Sequence, residues 1–347
     1  MKIGVFDHLD GADVPLAQFF ADRLTLVEHY DRHGFYAYHV AEHHSTPLGM
    51  APSPSVFLSA VSQRTRQLRF GSLVYILPLY HPLRLAEEIS MLDQLSNGRL
   101  QVGVGRGISP IEVGFFGVDV PQSQAIYLES FQVLIKALTG NQVTHSGKYF
   151  KFDQVPMVLK PLQQPHPPLW YGVGQIEGVD WCVDNNVNAV VNGSFERVRQ
   201  ITDRFRECWA SSGKPVAQHT LMGTGRHVVI AQSDAAAEKI AERAYARWHH
   251  RFMYLWRAHG QTPQFAQMPE DFGLACEIGI VVAGSAKTVR DTLINHVDRT
   301  GVNYLLTRFA FGDLSLAESL ESVERFAADV MPSMLALRAK NDQVEPT

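Results

Sequence analysis

Several polar groups stand directly behind short apolar runs. Glu42-His43-His44 follows Tyr38-His39-Val40-Ala41, Arg106 follows Val102-Gly103-Val104-Gly105, and Gly174-Gln175 follows Trp170-Tyr171-Gly172-Val173. Asn192 and Arg308 end two further runs. Each taken alone is an ordinary capping or loop residue. Repeated behind successive strands of one parallel barrel, they would meet on a single face, because the C-terminal strand ends converge there. A neutral imidazole can donate or accept a proton near pH 7, so His43 suits acid–base work or stabilisation of a reactive anion. Glu42-His43-His44 is a poor metal cluster: adjacent side chains at a strand end diverge, and the H-E-x-x-H spacing that places two histidines on one helix face is absent. Gly103-Val104-Gly105-Arg106-Gly107 contains G-x-G but lacks the third glycine of a dinucleotide fingerprint, and Pro110 follows before any helix. Glycines there let a large planar ligand approach the backbone, with the Arg106 fork available for a phosphate.

The elements that must position these groups alternate between helix and strand. Leu16, Phe19, Phe20, Val27 and Tyr30 recur at helical spacing before His33-Gly34 and the run Phe35 to Val40. Leu85, Ile89 and Leu92 do so before Asn97-Gly98 and the run from Leu100, and residues 284–300 repeat the design before Gly301. Strands are expected at 2–6, 36–40, 68–74, 100–105, 168–173, 187–191, 219–230 and 303–309. Eight strands, with no glycine-rich turn after the first, favour an α/β fold of the (β/α)8 TIM-barrel type with long inserted loops over a doubly wound sheet. The insertions are residues 107–168, with a helix near 122–138 and a proline-rich stretch at 160–168, and residues 250–277. Tyr245, Trp248, Phe252, Trp256, Phe265, Met268 and Phe272 crowd the second. Gly260, Pro263 and Pro269 interrupt it, so residues 258–276 are expected to form a mobile lid. Residues 1–338 are expected to be one domain and 339–347 a flexible tail.

Composition narrows the function classes. Among 347 residues, 31 Lys+Arg against 35 Asp+Glu give a net charge of −4, with no basic surplus for nucleic acid. Cys182, Cys208 and Cys276 are odd in number and far apart, which fits neither a disulfide framework nor a C-x-x-C site. Asp7 comes too early for a secretory apolar region, and no apolar run approaches the length of a membrane span. A cytoplasmic protein without membrane or nucleic-acid partners is expected.

The sequence resembles the bacterial luciferase-like flavin-dependent monooxygenases over nearly its whole length. The motifs are Met1-Lys2-Ile3-Gly4-Val5-Phe6, Ala41-Glu42-His43-His44, the stretch Leu77 to Glu88, Leu92 to Arg99, Gly103 to Gly107, Pro167-Pro168-Leu169-Trp170 and Val281 to Ser285. The resemblance implies a (β/α)8 barrel that takes reduced FMN from a separate flavin reductase. It would use O2, through a flavin C4a-peroxide, to oxygenate a small apolar organic substrate such as an aldehyde or ketone. It implies a catalytic role for His43, phosphate binding by Arg106 and by the backbone amides of Gly174, Gln175 and Ile176, and a non-proline cis dipeptide, Leu73-Val74, under the flavin ring. Asp93 and Arg99 would be a structural pair. Gly105 stands where the light-emitting subunit has a reactive cysteine and Gly193 where it has a tryptophan, changes that disfavour light emission. A homodimer through the second and third helices is implied, with apolar residues in 53–61 and 83–95. The alternatives are a deazaflavin F420-dependent hydride-transfer enzyme, whose relatives lack the Glu-His-His pattern, and a flavin-binding protein without turnover.

Overall fold

In the computed structural model, which describes residues 1–11, 13–215, 218–263 and 268–337, the apolar runs form a closed barrel of eight parallel strands. The first four are β1 (Lys2–Asp7), β2 (Ala37–Val40), β3 (Arg69–Ile76) and β4 (Leu100–Gly105). An antiparallel hairpin, β5 (Gln142–Ser146) with β6 (Lys151–Pro156), lies outside the ring. The ring continues with β7 (Leu169–Gly172), β8 (Asn188–Val190) and β9 (Met222–Ile230), and β11 (Tyr304–Arg308) returns it to β1. β10 (Val281–Gly284) pairs with the far end of β9, Val281 opposite His227 and Gly284 opposite Ile230. Gly223 pairs with Val190 on one side and Tyr304 on the other, whereas His227 pairs with Val281 and Arg308. β8 and β10 therefore flank the same side of β9 at successive heights. β9 rises above the barrel rim, and β10 builds on that extension.

The helices are α1 (Leu16–Arg32), α2 (Pro54–Arg64), α3 (Pro82–Leu95), α4 (Pro110–Phe115), α5 (Ser123–Thr139), α6 (Gly178–Asp184) and α7 (Phe195–Ser211). They continue with α8 (Asp234–Phe252), α9 (Tyr254–Ala258), α10 (Phe272–Glu277), α11 (Ala286–Thr300), α12 (Leu316–Arg325) and α13 (Met331–Ala336). Serines cap α7, α8, α11 and α12: the hydroxyls of Ser194, Ser233, Ser285 and Ser315 each accept the third backbone N–H of the helix. Each such cap stabilises by about 1 kcal/mol. α11 closes on Gly301 at φ 71, the left-handed end that its sequence announces.

Three of the apolar clusters among the described residues follow from this layout. The largest fills the space between barrel and helices and includes Val27, Leu58, Ile89, Val102, Leu134, Val198 and Leu293. A second fills the lumen with Phe6, Ala41, Leu73, Trp170, Val190, Tyr304 and Leu306. A third lies in the wall above the rim, where Ala237, Ala241, Ala244, Tyr245 and Trp248 of α8 pack on Val229 and Val281. The small alanines let α8 approach β9 and β10 closely.

Some expectations need correction. The barrel strands sit at the expected places, but β10 and the hairpin within residues 107–168 are additional elements. Asp93 and Arg99 do not pair. Asp93 accepts the backbone N–H and side-chain amide of Gln163 at 2.8 and 2.7 Å. Arg99 donates to Thr65 Oγ1 and the carbonyls of Leu68, Ser62 and Ser96. Each thus binds the neighbouring loop on its own side. Gly103 and Gly105 do not make room for a ligand either. A Cβ at Gly103 would lie 2.4 Å from the Ser72 carbonyl oxygen, and one at Gly105 would lie 2.6 Å from Val74 Cγ2, so the glycines admit the irregular segment of β3. Of the expected lid, residues 264–267, Phe265 among them, lie outside the described residues, as do residue 338 and the whole of the expected tail, 339–347. The neighbouring part of the lid segment is tied to α8: Tyr245 donates to the Pro269 carbonyl at 2.6 Å, and His249 Nε2 lies 3.0 Å from the Met268 carbonyl.

Candidate active site

Strand alternation sends His8, His43, Asn192, His227 and Arg308 to the uppermost level of the barrel, above the lumen cluster. His43 follows β2 by three residues. Its Nδ1 lies 3.2 and 3.3 Å from the two carboxylate oxygens of Glu112 on α4. Glu112 is set by its own helix start, since its backbone N–H donates to the Ser109 hydroxyl at 3.3 Å, and its Oε2 also accepts the His44 backbone N–H at 2.7 Å. With Nδ1 held by the carboxylate, Nε2 is the ring nitrogen left for a reacting molecule. Burial opposes charge on this imidazole most strongly, but the Glu112 charge and hydrogen bond together outweigh it and hold the pKa above the ordinary histidine value. Burial likewise pushes Glu112 up, yet His43 and the His44 N–H bring it below the ordinary carboxylate value.

Glu42 makes no hydrogen bond to His43, although its charge adds a smaller upward push on that imidazole. Its Oε1 lies 2.9 Å from His44 Nε2, while its Oε2 accepts the Ile76 N–H at 3.2 Å and the Tyr80 hydroxyl at 2.9 Å. It ties β2 to the segment after β3 and turns His44 toward Phe116, 4.7 Å away in an edge contact. Burial raises the pKa of this carboxyl.

The candidate flavin residues lie on the β3, β4 and β7 side. Leu73-Val74 is a cis peptide at the irregular segment of β3, and Leu73 belongs to the lumen cluster. Arg106 is half-buried after β4, and no hydrogen bond or ion pair among the described residues engages its side chain. The backbone amides of Gly174, Gln175 and Ile176 likewise have no acceptor among the described residues, although the carbonyls of Gln175 and Ile176 close the turn into α6. A Cβ on Gly172 or Gly174 would meet nothing within 4 Å, so the space above them is open. An unengaged guanidinium, free amides and open space fit a phosphate with its attached chain. Arg197, in the first turn of α7, donates to the Gly174 carbonyl and braces this loop; its position 23 residues further on gave no sequence signal.

Asn192 is structural: its side-chain oxygen accepts the Gly225 N–H at 3.1 Å and holds β8 to β9. Arg308 enters the lumen over the Phe6 ring, 4.9 Å from its centre. His8 stacks on His43 at 5.7 Å and lies 5.8 Å from Trp248. Burial and the nearby Arg308 hold both His8 and His227 well below the ordinary histidine pKa. The opening above His43 and Glu112 is lined by Thr46, Leu48, Ile108, Phe252, Leu255, Trp256 and Pro263. An acid–base pair with an apolar roof and a neighbouring phosphate-compatible loop can move a proton beside a bound organic molecule while excluding water.

Residues 1–304 match the model of the luciferase-like monooxygenase family. The chain is 42% identical over 331 residues to the uncharacterized protein y4wF of Sinorhizobium fredii, covering 95% of this chain and 96% of that one. It is 27% identical over 248 residues to the oxygenase component of the flavin-dependent trigonelline monooxygenase of Acinetobacter baylyi, covering 70% and 68%. Among solved structures, the monooxygenase RslO1 of Streptomyces bottropensis superimposes with TM-score 0.85 at 23% identity, covering 96% and 99%. The oxygenating constituent of 3,6-diketocamphane monooxygenase of Pseudomonas putida, in complex with FMN, superimposes with TM-score 0.78 at 19% identity, covering 96% and 98%.

Proposed function

The chain belongs to the luciferase-like monooxygenase family, and from that premise we propose that it is the oxygenase of a two-component system. It receives reduced FMN from a separate reductase and inserts one atom of O2 into a small organic molecule with an apolar body. The observation that carries this reading is the His43–Glu112 pair, placed with Nε2 free under an apolar roof on the same barrel face as the phosphate-compatible loop. A relative named as an oxygenase component supports the reductase partner, and a fold neighbour in complex with FMN supports the cofactor.

Arg106 and the amides of Gly174, Gln175 and Ile176 would hold the flavin phosphate, and Leu73-Val74 would contact the flavin. The reduced flavin, when bound, supplies the electrons that activate O2. His43 donates or accepts a proton through Nε2 at the reacting oxygen, and Glu112 fixes the ring by accepting from Nδ1. Phe252, Leu255 and Trp256 exclude water from the site. A homodimer through α2 and α3 is part of this reading.

The test supplies reduced FMN, labelled O2 and a panel of small aldehydes and ketones. Wild-type protein should give product carrying one labelled oxygen atom. His43→Ala should retain FMN within a few-fold while product falls by about 10²–10⁴, and His44→Ala should lose less. Arg106→Ala should weaken FMN far more than riboflavin. Tight binding of F420 in place of FMN, or normal turnover by His43→Ala, would overturn the reading.

A further inference from the structure

Arg308 poses a problem that the flavin site leaves unsolved. It ends β11 and is 4% exposed, yet no carboxylate pairs with it among the described residues. No hydrogen bond among those residues uses its side chain, and its Nε is buried without a partner. The carboxylates nearest in the fold are committed elsewhere. Glu112 faces His43, Glu42 faces His44, Asp7 takes the Tyr38 hydroxyl, and Asp10 takes Arg251 and the Gly312 N–H. An uncompensated buried guanidinium is costly to keep. Its surroundings sharpen the point: His227, opposite Arg308 in the ladder, offers it no carboxylate, and Trp248 roofs both His8 and His227, 5.8 Å and 4.4 Å away. Gly225 is the neighbour that makes room, because a Cβ there would lie 2.7 Å from Arg308 Nη2.

Position separates this cation from Arg106. In the ring β1-β2-β3-β4-β7-β8-β9-β11, the strand bearing Arg308 stands opposite β4, which bears Arg106. The flavin phosphate is thus accounted for at the other side of the mouth, while Arg308 shares its sector with His8, which stacks on the catalytic His43.

We propose that Arg308, flanked by His8 and His227 beneath α8, is the anion-recognition residue of the substrate site, and that the substrate carries a carboxylate. The planar fork matches a carboxylate with two parallel hydrogen bonds, which a desolvated site strengthens. The apolar body of the substrate would extend from there under Trp248 toward His43. The proposal rests on the monooxygenase reading only in taking this mouth as the substrate chamber.

The experiment measures binding without turnover. Acetate, hexanoate, octanoate and phenylacetate are titrated into FMN-loaded wild-type protein by calorimetry, each beside its uncharged amide. At least one acid should bind tenfold or more tightly than its amide. In Arg308→Gln that preference should shrink below twofold, and Arg308→Lys should keep part of it. Thermal melts report whether each variant is folded, and the wild-type acid–amide comparison stands without any variant. Equal binding of acid and amide, or no binding by any acid, overturns the proposal. A fall in FMN affinity of Arg308→Gln, as large as its loss of acid binding, overturns it by assigning Arg308 to the flavin. Failure of wild-type protein to bind FMN at all would instead sink the flavin reading and leave an acid preference intact.

Discussion

His43 holds its proton above the ordinary imidazole range because Glu112 outweighs the effect of burial. A raised histidine pKa adds stability that is complete below the unfolded value and is lost as pH rises through the folded one. The depressed Glu112 adds stability that is present above its unfolded value and is lost as pH falls through its folded one. The pair therefore stabilises most between the two unfolded values, and the gain fades on either side as pH moves out through the folded ones. Glu112→Gln should drop the His43 pKa below the ordinary histidine value, since burial is then left to act against the charge, and should cost about 1–3 kcal/mol of stability. A histidine NMR titration checks the first and urea denaturation the second; an unmoved His43 would show that Glu112 does not govern it. The places of His43 and Arg106 at the barrel mouth were legible in the sequence because each comes just after an apolar strand, where the barrel fixes the backbone. Glu112 was not, because 69 residues separate it from His43. The one signal was Ser109-Pro110-Ile111-Glu112, a helix-start pattern whose glutamate here turns to a histidine rather than to its own cap. His8 carried the same signal as His43, a polar residue just past a strand, but is followed by no recognisable motif.

At the level of elements, one glycine couples the rim wall to the barrel. Gly312, in the segment after β11, has φ 60, and a Cβ on it would lie 1.9 Å from the Ala244 carbonyl oxygen of α8. Its N–H donates to Asp10 at 2.6 Å, and its carbonyl accepts from Arg251 of α8, also at 2.6 Å. Gly312→Ala should therefore combine a left-handed backbone penalty with overpacking against a helix backbone, costing about 2–4 kcal/mol by urea denaturation. A change within about 0.5 kcal/mol would show that α8 can move away freely. The strands were readable from runs of β-branched and aromatic residues, and several helix ends from the glycine that follows them. β10 was not, because Val281-Val282-Ala283-Gly284 lies outside the eight-strand ring and acquires its role only from the edge of β9 above the rim. The β5–β6 hairpin was missed for a related reason: its outward residues are polar and its two strands bury few side chains.

For the whole molecule, α2 and α3 leave Val56, Met91 and Leu95 at 72%, 53% and 52% exposure. Covering such side chains in a second copy would return roughly 25 cal/mol for each Å² removed from water. Sedimentation at micromolar concentration should show a two-chain particle, and Val56→Asp with Leu95→Asp should give single chains of unchanged fold; a wild-type protein that sediments as single chains would contradict the dimer. No helix among the described residues is long and apolar enough to cross a membrane. The third apolar cluster has a consequence of another kind. Residues 231–280 leave the ladder at Ile230 and rejoin it at Val281, and both anchors sit on one pair of adjacent strands above a ring that is already closed. α8 and α10 pack on the third cluster, α9 packs on Ile111 of α4, and Arg251 ties α8 to Asp10, so lineages that keep these few ties could lengthen, shorten or replace this cassette without reopening the ring. Heritable change in what the mouth admits is thereby decoupled from the machinery below it, so one inherited chassis can be refitted for new molecules by editing a single contiguous stretch of its gene.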